Sequence, residues 1–386
     1  MTAYESTDRL PTKAPVAFWI LALLGGIALA AGLYLEPDHT WIDLFVVSNY
    51  LIGLGLSGLL LIALHYVTGA RWSLPVRRVY EAMTAILPLA AVGLGAVLLF
   101  RPALYSWAVS PAPVGSESPL RHLWLNRPFF LMRAVVYLGL WLAFAAAVVR
   151  NSRRQDTQND AAPTVRNIRL SALFLVVFGV TVWLASYDWI MSLEPDWAST
   201  VFGVYSFSSL FLSGLAACIL LVIWLRRNSS LQSVLTQDHL HDLGTLLFAF
   251  SSFWMYAWFC QYMLIWYVNL PDETIYLRQR QQGIWQGYLL LDLALNWAVP
   301  FLVLLFRSAK RNPRILGIVA LIVLAGRWVD LCVMAFPSQP TVVPTLGLIE
   351  AGVVFGAAGL FVVVVFRALG KAALVPLREP VVLEQR

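Results

Sequence analysis

Charge is scarce in this chain. Asp, Glu, Lys and Arg make up only 12% of its 386 residues, about half the share of an ordinary soluble domain. Hydrophobic residues fill 60% and mean hydropathy is +0.73. That excludes a soluble globule and a disordered chain. Cysteine is nearly absent. Cys218, Cys260 and Cys332 all lie in apolar runs without pair spacing, which excludes a disulfide scaffold and leaves them as small core residues. There is no CxxCH, no cysteine run for an iron–sulfur cluster and no Gly-rich loop ending in GK[ST]. Haem b in a membrane bundle usually needs a pair of histidines on facing helices. Of the five histidines, His39, His65, His122, His239 and His241, only His65 lies in an apolar segment. The sequence therefore predicts a chain that binds no haem, cluster, nucleotide or metal of its own. The net charge of +6 is spread over short connections rather than one patch, so it does not point to nucleic acid. The first residues, MTAYESTDRLPTK, lack the pattern of a cleaved leader, and the first apolar run reads as a retained helix.

What the chain has in abundance is long apolar runs. A helix needs about 20 apolar residues to cross a bilayer core of about 30 Å. Ten segments qualify: Pro15–Leu35, Asp43–Val67, Tyr80–Phe100, Phe129–Val149, Leu170–Met191, Thr200–Trp224, Leu243–Val268, Trp285–Phe306, Ile315–Phe336 and Leu346–Phe366. Strands of a membrane barrel would be shorter and alternating. The expected fold is all-α: one polytopic membrane domain over residues 1–386. Counting Lys and Arg in the connections with the N-terminus inside gives 20 on the inner side and 5 on the outer side. This bias places both termini in the cytoplasm, with the spans embedded among lipids.

Two connections are long. Arg101–Pro128 is rich in proline and aromatics and reads as an ordered outer cap or docking surface. Arg150–Arg169 is polar and reads as a flexible cytoplasmic joint, which could divide the chain into helical groups 15–149 and 170–366. Gly352 and Gly356 form a GxxxG in the last span, a close-packing signal that also suits a neighbouring membrane subunit.

Ionisable groups inside a membrane cost about 2.5–3.5 kcal/mol at mid-helix and are functional candidates by default. At about 1.5 Å per residue from the outer helix ends, Asp188 and Glu350 lie roughly 5–6 Å deep, Asp292 and Asp330 about 10 Å and Arg327 about 14 Å. Arg133 also lies in the outer part of its helix. The inner side carries only His65, Glu81 and Asp242, all shallow by the same count. Tyr288, Asp292 and Asn296 recur every fourth residue and share a helix face. Arg327 and Asp330 are within pairing reach at i, i+3. Ser206, Ser209 and Ser213 line one side of the sixth span. These ten residues, Asp292, Asp188, Asp330, Glu350, Arg327, Tyr288, Asn296, Ser206, Ser209 and Ser213, form a candidate proton path opening outward. A carboxyl group can take and give a proton, which serine and asparagine do not do near neutral pH. Structural readings stand beside this one: an ion pair for Arg327–Asp330, hydrated interfacial acids for Asp188 and Glu350, and packing hydrogen bonds for the serines. Trp254, Tyr256, Trp258, Tyr262, Trp266 and Tyr267 read partly as an interfacial belt, with a quinone-lining role as the alternative.

Three stretches resemble a known family. They are SYDWIMSLEPDWASTVFGVY (Ser186 to Tyr205), HDLGTLLFAFSSFWMYAWFCQYMLIWYVNLPDET (His241 to Thr274), and the run from Asn296 to Leu331 that includes NWAVPFLVLLFRSAKRNPRIL and GRWVDL. They are similar to the ActF-type membrane subunits of bacterial alternative complex III, a quinol:cytochrome c oxidoreductase, themselves related to polysulfide-reductase-type membrane subunits. The resemblance implies a non-redox subunit beside an ActC-like sister that carries the quinol site for menaquinone or ubiquinone. It places haem c and iron–sulfur clusters in partner subunits. One position departs: Asp196 stands where a histidine is expected, so a proton role for that histidine does not carry over. Two other classes remain open, an independent secondary transporter and a purely structural scaffold. No internal repeat of the kind transporters show is visible.

Overall fold

The computed structural model describes residues 14–70, 72, 74–109, 119–157, 160–228, 235–339, 347–371 and 373. All regular structure among them is helical. Ten helices are long and apolar enough to cross a membrane: α1 (Val16–Leu35), α2 (Pro37–Thr68), α3 (Leu74–Phe100), α4 (Arg127–Gln155), α5 (Ala162–Leu193), α6 (Phe202–Asn228), α7 (Gln237–Val268), α8 (Ile284–Leu304), α9 (Pro313–Ser338) and α10 (Leu348–Leu369). These are the ten expected segments. The end of the bundle that holds Leu35 and Phe100 is called outer here, after the charge bias in the connections.

Proline sets several helix starts. Pro37 sits in the first turn of α2, so the helix begins there rather than at Asp43. Its fixed φ suits the first helical position and its missing N–H would have had no partner there. Asn312 caps α9 by accepting from the Arg314 backbone N–H at 2.9 Å. Gly69 closes α2 in the left-handed region with φ 62°.

Helix α2 is the centre of the bundle, packed by α3, α5, α6, α9 and α10. Helix α1 lies at the rim, its outward face apolar, with Val16, Leu23 and Leu35 exposed. In the absence of a hydrophobic drive between lipid and helix, α1 is held by backbone closeness. Gly25 meets Gly356 backbone to backbone, and a Cβ at Gly359 would strike Phe18 and Ala22. The GxxxG of α10 is therefore occupied inside this chain, which corrects the expectation that Gly352 and Gly356 face a neighbouring subunit.

The Arg150–Arg169 connection is likewise not a loose joint. Helix α4 runs on to Gln155 and α5 starts at Ala162; residues 158–159 lie outside the described set. Asn167 Nδ2 donates to the Val148 carbonyl at 3.1 Å, and Gln155 Nε2 to the Asp160 carbonyl at 2.7 Å. The two stretches it separates interlock, α1 on α10 and α2 on α5, α6 and α9.

The described parts of Arg101–Pro128 form a cap; residues 110–118 of that segment lie outside the described set. Tyr105 Oη donates to the Trp189 carbonyl and Trp107 Nε1 to the Ser192 carbonyl, each at 3.0 Å. Gln339 Nε2 reaches the Leu104 carbonyl at 2.9 Å. Burial holds the Tyr105 phenol well above the usual tyrosine range, so it serves as a neutral donor.

Candidate functional site

The structure separates the candidate residues into three outer clusters rather than one path.

The first is built on α6, α7, α8 and α9. Asp292 and Asp330 are fully buried. Asp330 pairs with Arg327 through one carboxylate oxygen and accepts from the Tyr205 hydroxyl with the other. The Arg327–Asp330 pair read from the sequence is thus present, with Tyr205 as an unforeseen third member. Asn296 Nδ2 donates to Asp292 Oδ1 at 2.7 Å, while Asp292 Oδ2 is buried and accepts from no described residue. The local fold explains the placement. Pro300 has no N–H to offer the Asn296 carbonyl, and the preceding turn, Ala294–Ala298, widens into a π-helix. Ser251 on α7 fills the gap, donating to the Asn296 carbonyl at 2.7 Å. Gly326 gives Asn296 room, since a Cβ there would lie 2.9 Å from its side chain. Trp254, fully buried rather than part of an interfacial belt, donates to Ser209 Oγ at 2.8 Å and packs on Tyr205 at 5.8 Å between ring centroids.

Tyr288 packs instead among Trp258, Val329 and Val333, beside Leu289. Ser206, Ser209 and Ser213 are all buried on α6. Ser213 donates back to the Leu210 carbonyl at 2.8 Å, a packing role, whereas Ser206 Oγ meets no described partner.

The second cluster holds Asp188. Arg133 grips both its oxygens, Nε to Oδ2 and Nη2 to Oδ1, each at 2.8 Å. Trp124 Nε1 donates to Oδ1 at 2.9 Å and Tyr137 Oη to Oδ2 at 3.0 Å. The guanidinium also lies over the Trp124 ring at 4.2 Å. This bidentate pair fully occupies the carboxylate. Asp188 is not a hydrated interfacial acid, and it joins α4 to α5 rather than extending the Asp292 cluster.

The third cluster holds Glu350. His39 Nδ1 lies 3.1 Å from Asp43 Oδ2 and 3.3 Å from Glu350 Oε1. Glu350 is buried, so the hydrated reading fails for it too.

Two further sites were missed. Arg280, in the connection helix Pro271–Arg280, is buried and fully engaged. It donates to the Val333 carbonyl at 2.9 Å, the Met334 carbonyl at 3.1 Å and Glu194 Oε1 at 2.6 Å. It also lies 3.4 Å from the Tyr276 ring centroid, and that ring stacks on Trp197 at 3.7 Å. Burial pushes the Tyr276 phenol up to about 12, with Arg280 drawing it back. The Glu194–Trp197 part of the outer hairpin is thereby locked to the end of α9. At the inner end, Arg78 donates to Glu81 Oε2 at 2.6 Å and pairs with Asp156, and Ser152 donates to Glu81 Oε1 at 2.5 Å. Arg77 and Arg78, counted as loop cations from the sequence, are buried in α3, and Glu81 is buried too. The inner end therefore carries a buried ion network of its own.

No known protein family matches this chain, and no curated protein matches it in sequence.

Proposed function

We propose that this protein is an integral-membrane, non-redox subunit of a bacterial respiratory quinol:electron-acceptor oxidoreductase of the alternative complex III type. In this reading it sits in the cytoplasmic membrane beside an ActC-like subunit. Quinol oxidation, haem c and iron–sulfur chemistry belong to partner subunits. Its own contribution is a scaffold and an outward-opening proton half-channel centred on Asp292.

The observation that carries the proton role is the asymmetry of the Asp292 carboxyl. One oxygen is fixed by Asn296 and the other is buried with no described hydrogen-bond donor. A proton carrier needs an oxygen lone pair that is not committed to the fold, and Oδ2 has one. Asp330, bonded to Tyr205 and Arg327, is a second buried carboxyl on α9, the helix packed against α8. A π-turn directly after the acid supports the reading, because such turns concentrate at functional sites. The respiratory assignment rests on the resemblance of the Ser186–Tyr205, His241–Thr274 and Asn296–Leu331 stretches.

Purification from native membranes tests the assignment. The chain should copurify with haem-bearing partners and quinol-oxidising activity; a transporter would purify without them. Asp292→Asn in that complex should leave assembly intact and lower proton release per quinol in proteoliposomes. Unchanged proton release would return Asp292 to a structural role.

A further inference from the structure

We infer that His39, Asp43 and Glu350 form a binding site for a divalent transition-metal ion of the Zn2+ or Mn2+ class at the outer end of the bundle. The inference is independent of the proton-path reading and takes Glu350 out of that path.

The three residues come from two helices that start at the outer end. His39 and Asp43 are one turn apart on α2, and Glu350 lies in the first turn of α10. Spacing of i, i+4 puts two ligand atoms on one helix face, as metal-binding helices require. One ligand atom from each residue lies within 4.8 Å of the other two. A tetrahedral ion with bonds of about 2.0–2.2 Å holds neighbouring ligand atoms roughly 3.3–3.6 Å apart, and an octahedral one about 2.9 Å. The observed N···O separations of 3.1 and 3.3 Å fall in that window.

Charge points the same way. Elsewhere among the described residues the buried carboxylates of Asp188, Asp330 and Glu81 each meet a guanidinium. Asp43 and Glu350 both converge on an imidazole, the commonest protein metal ligand. Metal ligands bind deprotonated, and two carboxylates with a neutral imidazole would match the two charges of a divalent ion. The mixed nitrogen and oxygen set selects a borderline ion over Ca2+ or Mg2+, which take oxygen ligands.

The surroundings hold the ligands in place. The Phe336 ring packs on the His39 ring at 5.4 Å. The Glu350 carboxylate lies over Gly347, where a Cβ would collide with Oε2. The side chains of Asp43 and Glu350 are 4% and 5% exposed and that of His39 is 12% exposed. A bound ion ties α10, and through it α1, to the central helix α2.

The test uses the intact purified protein, or its complex, stripped with a chelator and dialysed against Zn2+ or Mn2+ alone. Metal analysis should find one ion per chain. His39→Gln and Glu350→Gln keep hydrogen-bonding shape and should weaken binding at least tenfold. X-ray absorption on the wild-type metal-loaded protein needs no variant, and should report a shell of nitrogen and oxygen at about 2.0–2.2 Å. Substoichiometric metal, a sulfur-containing shell, or folded variants that bind as well as wild type would each overturn the proposal. In that case His39 is an imidazolium bridging two carboxylates.

Discussion

The Ser251 hydroxyl donates a 2.7 Å hydrogen bond to the Asn296 carbonyl, the group that Pro300 cannot serve because it lacks an N–H. One helix thereby repairs its neighbour's backbone, the solution expected where no water competes. Removing the hydroxyl leaves a buried carbonyl without this donor, at a cost of about 1–3 kcal/mol. Ser251→Ala should therefore lower the melting temperature in detergent. Pro300→Ala restores an N–H and should make the same serine substitution cheaper. Additive effects of the two changes would show that Ser251 does not serve the proline gap. A double-mutant cycle should return a coupling of about 0.5–3 kcal/mol.

The α1–α10 contact makes a second expectation. Gly25 and Gly356 touch through their backbones, so any Cβ forces the helices apart. Gly25→Val and Gly356→Val should each destabilise the protein, while Gly26→Val should be tolerated, because a Cβ at Gly26 meets nothing within 4 Å. A disulfide cross-link between cysteines placed on α1 and α10 should form efficiently in wild type and poorly in the Gly25 variant. Equal cross-linking in both would mean that the glycine contact does not hold α1.

These cases mark what the sequence makes legible. A crossing helix needs a long apolar run whatever its neighbours, so all ten spans can be read by eye. The Arg327–Asp330 pair is local, at i, i+3, and reads just as directly. Arg77, Arg78 and Glu81 have the same short spacing, yet their charges make the segment look like loop, and only burial reveals the network. Arg133 with Asp188, Tyr205 with Asp330, and His39 with Glu350 are distant in sequence and meet only through helix packing. Depth along each helix was legible, but angular position around the bundle was not. Acids of similar depth therefore read from the sequence as one path, although they meet different partners in the fold.

Sidedness follows from the cation bias and can be checked directly. In a Cys260→Ser background, Leu120→Cys lies on the cap helix Pro119–Trp124 and Arg166→Cys near the start of α5, both at exposed positions. A membrane-impermeant thiol reagent applied to intact cells should label the first and spare the second. Cys218 and Cys332 are buried and should stay silent. Reversed labelling would invert the bundle and move the acid clusters to the cytoplasmic side.

The sharpest contrast lies between two buried aspartates. Asp188 accepts four hydrogen bonds, two of them from one guanidinium, so its charge is part of the fold. Asp188→Asn removes the counter-charge of a buried arginine and adds donors opposite existing donors. Breaking a buried pair from one side costs about 3–5 kcal/mol, so this variant should unfold at much lower temperature or fail to accumulate. Replacing Arg133 at the same time, as Arg133→Met/Asp188→Asn, should recover part of the loss. Asp292 makes the opposite prediction. Its Oδ1 is held by the Asn296 amide, its Oδ2 has no described donor, and among the described residues no guanidinium forms a direct ion pair with it. An asparagine there keeps the Oδ1 acceptor and fits the same space, so Asp292→Asn should change stability by less than about 1 kcal/mol while altering proton movement. The comparison needs only thermal melts of both variants and proton release from the second. If Asp292→Asn proves as damaging to folding as Asp188→Asn, the Asp292 charge is structural and the half-channel loses its central group.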